Sequence, residues 1–120
     1  MGLRHDKVVS ALKREISSII HDELKDSRLG FATIVRVELT DDLRFARIYF
    51  SVLGGEKEQK ATQEALEGAT PFIRCLAGQR LSLRFVPEIS FRIDRSIEYS
   101  IRIQKELDSI KEQNGDKESN

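Results

Sequence analysis

The feature that most constrains this chain is a repeated change of hydrophobic period. From Asp6 to Leu24 the apolar residues Val8, Leu12, Ile16, Ile19, Ile20 and Leu24 recur at steps of three and four, with Lys13, Arg14 and Glu15 between them. That spacing predicts one face of a long helix, ending where Asp26, Ser27 and Gly30 supply turn chemistry. The period then becomes two. Thr33, Val35, Val37 and Leu39 are expected on one face of a strand, and after Thr40-Asp41-Asp42-Leu43-Arg44 a second run places Ala46, Ile48, Phe50 and Val52 together. Arg47, Tyr49 and Ser51 share the opposite face with Phe45, and Gly54-Gly55 ends the hairpin.

From Glu56 the helical spacing returns through Ala61, Ala65, Ala69, Phe72, Ile73 and Leu76, but Pro71 interrupts it. A proline lacks the N–H, clashes with the carbonyl four residues back and biases its predecessor away from the helical region. It is well tolerated as the first residue of a new helix. The expectation is therefore two helices sharing one apolar face, kinked at Ala69-Thr70-Pro71 with Thr70 as the second N-cap. A third strand is expected over about Phe85 to Ile93, with Ile89, Phe91 and Ile93 inward and Pro87 at its start. Asp94 and Ser96 are candidate caps for a last helix carrying Ile97, Ile101, Leu107 and Ile110. Residues 111–120 contain no apolar side chain after Lys111 and read as a disordered polar tail.

Composition narrows the function. Twenty Lys+Arg cancel twenty Asp+Glu, which excludes indiscriminate attraction to polyanions. A single cysteine cannot form an internal disulfide, and two histidines do not make a metal cluster. No cofactor or metal is expected. Neither a membrane span nor a signal peptide is expected, and the setting is a reducing cytoplasm. Asp41-Asp42 is an acid pair in a turn, where such residues accept backbone hydrogen bonds. Cys75, beside the apolar stripe, reads as a small buried thiol, and Phe50, Phe72 and Phe91 read as core. Without a nucleophile, base or phosphate-cradling loop, an enzyme is not expected.

The fold expectation is one α+β domain over residues 1–110: helix, strand, strand, helix, kink, helix, strand and a C-terminal helix, with helices on one face of a three-stranded mixed sheet. That order resembles a type II K-homology (KH) domain. Such domains hold single-stranded nucleic acid on a GxxG loop between paired helices, and no GxxG occurs here. The resemblance becomes specific in Leu24-Lys25-Asp26-Ser27-Arg28-Leu29-Gly30, Leu39-Thr40-Asp41-Asp42-Leu43 with Ala46-Arg47-Ile48-Tyr49, Phe72-Ile73-Arg74, Leu83 through Phe91, and Asp94-Arg95-Ser96. Together these segments resemble the ribosome-binding factor A family.

The resemblance implies a KH-like, non-catalytic assembly factor that binds the free small ribosomal subunit and its rRNA and assists late rRNA maturation. It implies an Ala-x-Gly kink in place of GxxG. Here that position reads Ala69-Thr70-Pro71, and Pro71 removes a donor and adds bulk where RNA would approach. Unpaired N–H groups at Phe72, Ile73 and Arg74, at the start of the second helix, would suit a phosphate. From Pro71 to Gln104 the cations are all arginines: Arg74, Arg80, Arg84, Arg92, Arg95 and Arg102. Arginine's planar fork suits phosphate.

The expected RNA contacts are Ala69, Thr70, Pro71, Arg74, Arg80, Arg84 and Arg92, extended by Lys7, Lys13, Arg14 and Arg47. Partners are the small subunit's rRNA, with neighbouring ribosomal proteins or other assembly factors, and the protein itself is expected to be a monomer. The alternative is a protein-binding adaptor that uses the hairpin face or last helix, its arginines serving as a solvated face.

Overall fold

A computed structural model describes residues 3–30, 32–95 and 104–110. Helix α1 spans Leu3–Ser18, strands β1 and β2 span Ala32–Leu39 and Phe45–Val52, helix α2 spans Glu56–Leu81, and strand β3 spans Glu88–Ile93. The sheet order is β1-β2-β3, antiparallel between β1 and β2 and parallel between β2 and β3. The parallel pair requires a long crossover, and α2 supplies it. Both helices pack on one face of the sheet, as the KH-like α+β plan requires. Leu12, Ile16, Ile48, Phe50, Leu66 and Ile73 are fully buried between them, and Phe50 meets Phe91 edge to face at 6.5 Å.

The first helix ends in a wider turn. Ile19–Glu23 form a π-helical turn closed by the Leu24 N–H on the Ile19 carbonyl at 3.2 Å. The extra residue lets the consecutive Ile19 and Ile20 both enter the core. The chain then caps a 3₁₀ turn, Ser27–Leu29, with Asp26, whose carboxylate accepts the Arg28 N–H and guanidinium at 2.6–3.2 Å. Those bonds hold the Asp26 carboxyl down at about 2. Buried Thr62 on α2 donates to the Arg28 carbonyl at 2.9 Å and docks this turn.

Strand β1 departs from the expected alternation. Its register shifts between Ile34 and Arg36, so Ala32 and Ile34 are buried before the shift and Val37 and Leu39 after it. Thr33, expected inward, is exposed. One extra residue at a β-bulge exchanges the two faces. Strand β2 keeps the expected phase. In the hairpin turn, Asp42 accepts from the Thr40 hydroxyl at 2.7 Å and the Arg44 N–H at 3.1 Å. Both bonds lower its pKa. At the other end of β2, Gly54 has φ +144, and a Cβ there would meet the Glu58 side chain at 2.8 Å. The Glu58 carboxylate turns back to accept the Gly55 N–H at 2.9 Å and starts α2.

Pro71 does not begin a new helix. It lies inside α2, which is helical from Glu56 to Leu81. Thr70 is not an N-cap: its hydroxyl donates back to the Leu66 carbonyl at 2.8 Å, the bond of a residue within a helix. Helical continuity engages the N–H groups of Phe72, Ile73 and Arg74 within α2, so the expected phosphate-binding helix start is absent. The physical reason is the apolar stripe, which runs in phase across the proline and buries Ala65, Leu66, Ile73 and Ala77 on one face.

Two further expectations are corrected: Phe72 is 47% exposed rather than core, and Cys75 is exposed. The start of the expected last helix, including Ser96, Ile97 and Ile101, and the tail 111–120 lie outside the described residues. Residues 104–110 are helical, with Leu107 and Ile110 exposed.

Candidate nucleic-acid interface

The predicted site residues separate into three surroundings. In the first, the arginine joins one element to another. Arg74 donates from Nε to the Pro87 carbonyl at 2.9 Å and from Nη2 to the Val86 carbonyl at 3.1 Å, fastening α2 to the loop before β3. Arg80 lies 2.8 Å from Glu23 and 3.7 Å from Glu15, clamping the last turn of α2 to the π turn and to α1. These two arginines hold elements together.

The second is a groove between α2 and the edge strand β3. Thr70 and Arg92 both line it, so the structure brings these two predicted residues together. Its α2 wall carries Glu56, Glu64 and Glu67 against Lys60, and its strand side carries Arg92 and Arg95. Gln63 spans it, donating to the Phe91 carbonyl and to Glu67 at 2.8 Å each. The acidic wall repels phosphate, which confines an attractive field to the strand side. Pro71 is exposed, and Ala69 is half-buried against the core.

The third is the open side. Across the solvent face of the sheet, Arg36, Tyr49 and Arg92 form one cross-strand row, and Glu38, Arg47 and Ser90 form the next. The Arg36 guanidinium sits 3.8 Å from the centre of the Tyr49 ring, and Arg47 donates to the Tyr49 hydroxyl at 3.3 Å. Arg36 also pairs with Glu38 at 3.5 Å and with buried Asp94 at 3.7 Å. Arg36 is absent from the predicted set, although the expected alternation already put it on the face opposite Val37 and Leu39; its stacking on Tyr49 is a cross-strand contact that no local pattern marks. Lys7, Lys13 and Arg14 are exposed along α1, Arg14 lying 3.8 Å from Glu15. Arg84, expected to enter the third strand, stands instead in the exposed loop between α2 and β3. There its guanidinium lies 5.8 Å from the centre of the Phe85 ring.

Among the described residues, no group of three His, Cys, Asp or Glu side chains could hold a metal ion, and no helix is long and apolar enough to cross a membrane. What these surfaces define is a KH-like α+β domain with exposed arginines on its sheet and loops.

Comparison with known proteins makes the assignment particular. The family model for ribosome-binding factor A matches residues 4–107. A ribosome-binding factor A from Halothermothrix orenii is 49% identical over 102 residues, covering 85% of this chain and 84% of the relative. One from Geotalea daltonii is 42% identical over 122 residues and covers 99% of each. The chain belongs to the ribosome-binding factor A family. The crystal structure of ribosome-binding factor A from Thermus thermophilus superposes with a TM-score of 0.68 at 25% identity, over 80% of this chain and all of that one. A Thermus thermophilus ribosome binding factor A model fitted into the cryo-EM map of a 30S complex superposes at 0.61 with 25% identity, over 72% of this chain and 91% of that one.

Proposed function

We propose that this protein is a non-catalytic assembly factor that binds the free small ribosomal subunit in the cytoplasm, as a monomeric domain over residues 1–110, and assists late maturation of its rRNA. The observation that carries the reading is family membership across residues 4–107, joined to a relative whose coordinates were fitted into a 30S complex. The surface chemistry agrees with it. Arg84, Arg92, Arg47, Lys7, Lys13 and Arg14 are exposed cations that supply phosphate contacts. Arg74 and Arg80 keep the frame in which those cations are spaced. Thr70 lines the groove and Pro71 is exposed on α2, and neither cradles a backbone, because α2 offers no free N–H groups there.

Binding an RNA conformation present in the precursor and weakened in the finished particle would shift the precursor's folding and then release the factor. Co-sedimentation of purified protein with free small subunits and with joined ribosomes tests the reading. Selective retention on free subunits is expected; equal binding to both, or to neither, overturns it. Precursor rRNA left uncut by the pure protein is expected, and turnover would point to an enzyme.

A further inference from the structure

The loop between α2 and β3 is anchored at both ends, and its tip carries the most exposed large hydrophobic side chain among the described residues. Ser82 closes α2 in the left-handed region at φ 52, with its N–H on the Gln79 carbonyl at 3.2 Å and the Leu83 N–H on the Gly78 carbonyl at 3.0 Å. Val86 packs against the bare backbone of Gly78 so closely that a Cβ there would lie 2.5 Å from its methyl group. Arg74 grips the carbonyls of Val86 and Pro87, and the Glu88 N–H bonds the Arg44 carbonyl at 2.8 Å. Between these anchors Phe85 is 81% exposed, beside a guanidinium that has no ion pair among the described residues. An aromatic ring carried on an anchored backbone loses less conformational freedom on binding than one on a free loop.

The surroundings indicate the occupant. Leu83, two residues before Phe85, lines a shallow apolar groove with Leu81, Val8 and Ala11, and the charged residues on that groove are Arg4 and Lys7. Among the described residues, no acidic side chain lines it. With Arg84, these cations present positive charge to whatever lies against the loop, and a polyanion with flat apolar faces satisfies both features. We propose that Phe85 is a stacking platform for an unpaired RNA base, with Arg84, Arg4 and Lys7 holding the flanking phosphates. This rests on the reading of the protein as an RNA-bound assembly factor. Stacking on an aromatic ring is sequence-tolerant, and its loss on truncation to Ala is worth about 5- to 150-fold in affinity.

The full-length chain provides the test. It contains no tryptophan, so Phe85→Trp installs a sole indole whose fluorescence a stacked base quenches. Free small subunits and a short unstructured RNA are titrated against this variant, while Phe85→Ala, Phe85→Leu and the unaltered protein are compared by co-sedimentation. Expected are quenching by both ligands, near-normal subunit binding by the Trp variant, and a loss of at least about fivefold for both Ala and Leu. Subunit binding without quenching, or an Ala variant that binds as well as the unaltered protein, overturns the proposal. So does a Leu variant that binds normally, because an apolar protein partner accepts Leu and a base stack does not. If the unaltered protein ignores free subunits, the assembly-factor reading fails. In that case quenching by the short RNA alone would still support the stack, and its absence would overturn it too. With Phe85 so exposed, thermal unfolding of the variants should match the unaltered chain.

Discussion

Replacing Pro71 by alanine should stabilise the protein, because the residue is an exposed position inside a continuous helix. In a helix interior proline is about 3 kcal/mol worse than alanine. Part of that is the missing N–H to the carbonyl of residue 67, and part is the ring's clash with the same carbonyl. The recovered hydrogen bond contributes only about 1 kcal/mol net. Removing proline also frees the unfolded chain, costing about 0.4–1 kcal/mol. The expected balance is a gain of about 1–2 kcal/mol, read as a higher urea midpoint at unchanged m-value. Hydrogen exchange should show the new amide at position 71 protected. Thr70→Ala should change stability by less than about 0.5 kcal/mol, since its hydroxyl only doubles a bond on an already paired carbonyl. A helix start at Pro71 predicts the reverse: a neutral proline replacement, a freely exchanging amide and a loss of about 1 kcal/mol from the vacated cap. Those results would refute the continuous helix.

Gly78→Ala should destabilise by about 1–3 kcal/mol through overpacking against Val86, and adding Val86→Ala should restore part of it; an unaffected melting temperature would show that the loop yields freely. Arg80→Ala should lower stability by about 0.5–1 kcal/mol, because its partners are partly exposed, and leave the salt dependence of subunit binding unchanged. Arg92→Ala should do the opposite, reducing the slope of log affinity against log salt by about 0.7 with no change in unfolding; a swapped pattern would exchange their roles. The His5 pKa is raised above its ordinary value, first by the bond from its ring to the Leu39 carbonyl at 2.7 Å and then by Asp6. Its contribution to stability is fully present below the unfolded pKa of about 6.5 and disappears as pH rises through the folded value. Imidazole NMR titration of folded and urea-unfolded protein measures this, and a folded pKa at or below the unfolded one contradicts it. Asp26 behaves with the opposite sign: its contribution is present above the ordinary carboxylate pKa and is lost as pH falls toward 2.

The element order was legible because each element buries one face and must show that face in its own period. Where two phases were both apolar, the choice was not legible. In β1, Thr33-Val35-Val37 and Ile34-Val37-Leu39 are equally readable, and the bulge that selects the second pattern carries no glycine or other signature. Pro71 illustrates a local rule overruled by a longer one. A cost of about 3 kcal/mol favours a boundary there, but fully burying Ile73 alone recovers about 1.5–3 kcal/mol, and Ala77 and Leu76 lie in the same stripe. The in-phase continuation from Leu66 to Ala77 was present in the sequence and outweighed the proline.

The arginines show a different limit. Their residue type pointed to phosphate, but a guanidinium also suits carbonyls and carboxylates, and its partner is chosen by tertiary contact. Arg80 finds Glu23 fifty-seven residues away in the chain, and Arg74 finds backbone oxygens twelve and thirteen residues on. No window of sequence contains the first pairing. The bonds that engage Arg74 also anchor the loop that leaves Arg84 and Phe85 in solvent. Under the proposed function, the interface is set by which cations the fold engages, and a neutral chain presents RNA with a small, shaped set of those it does not.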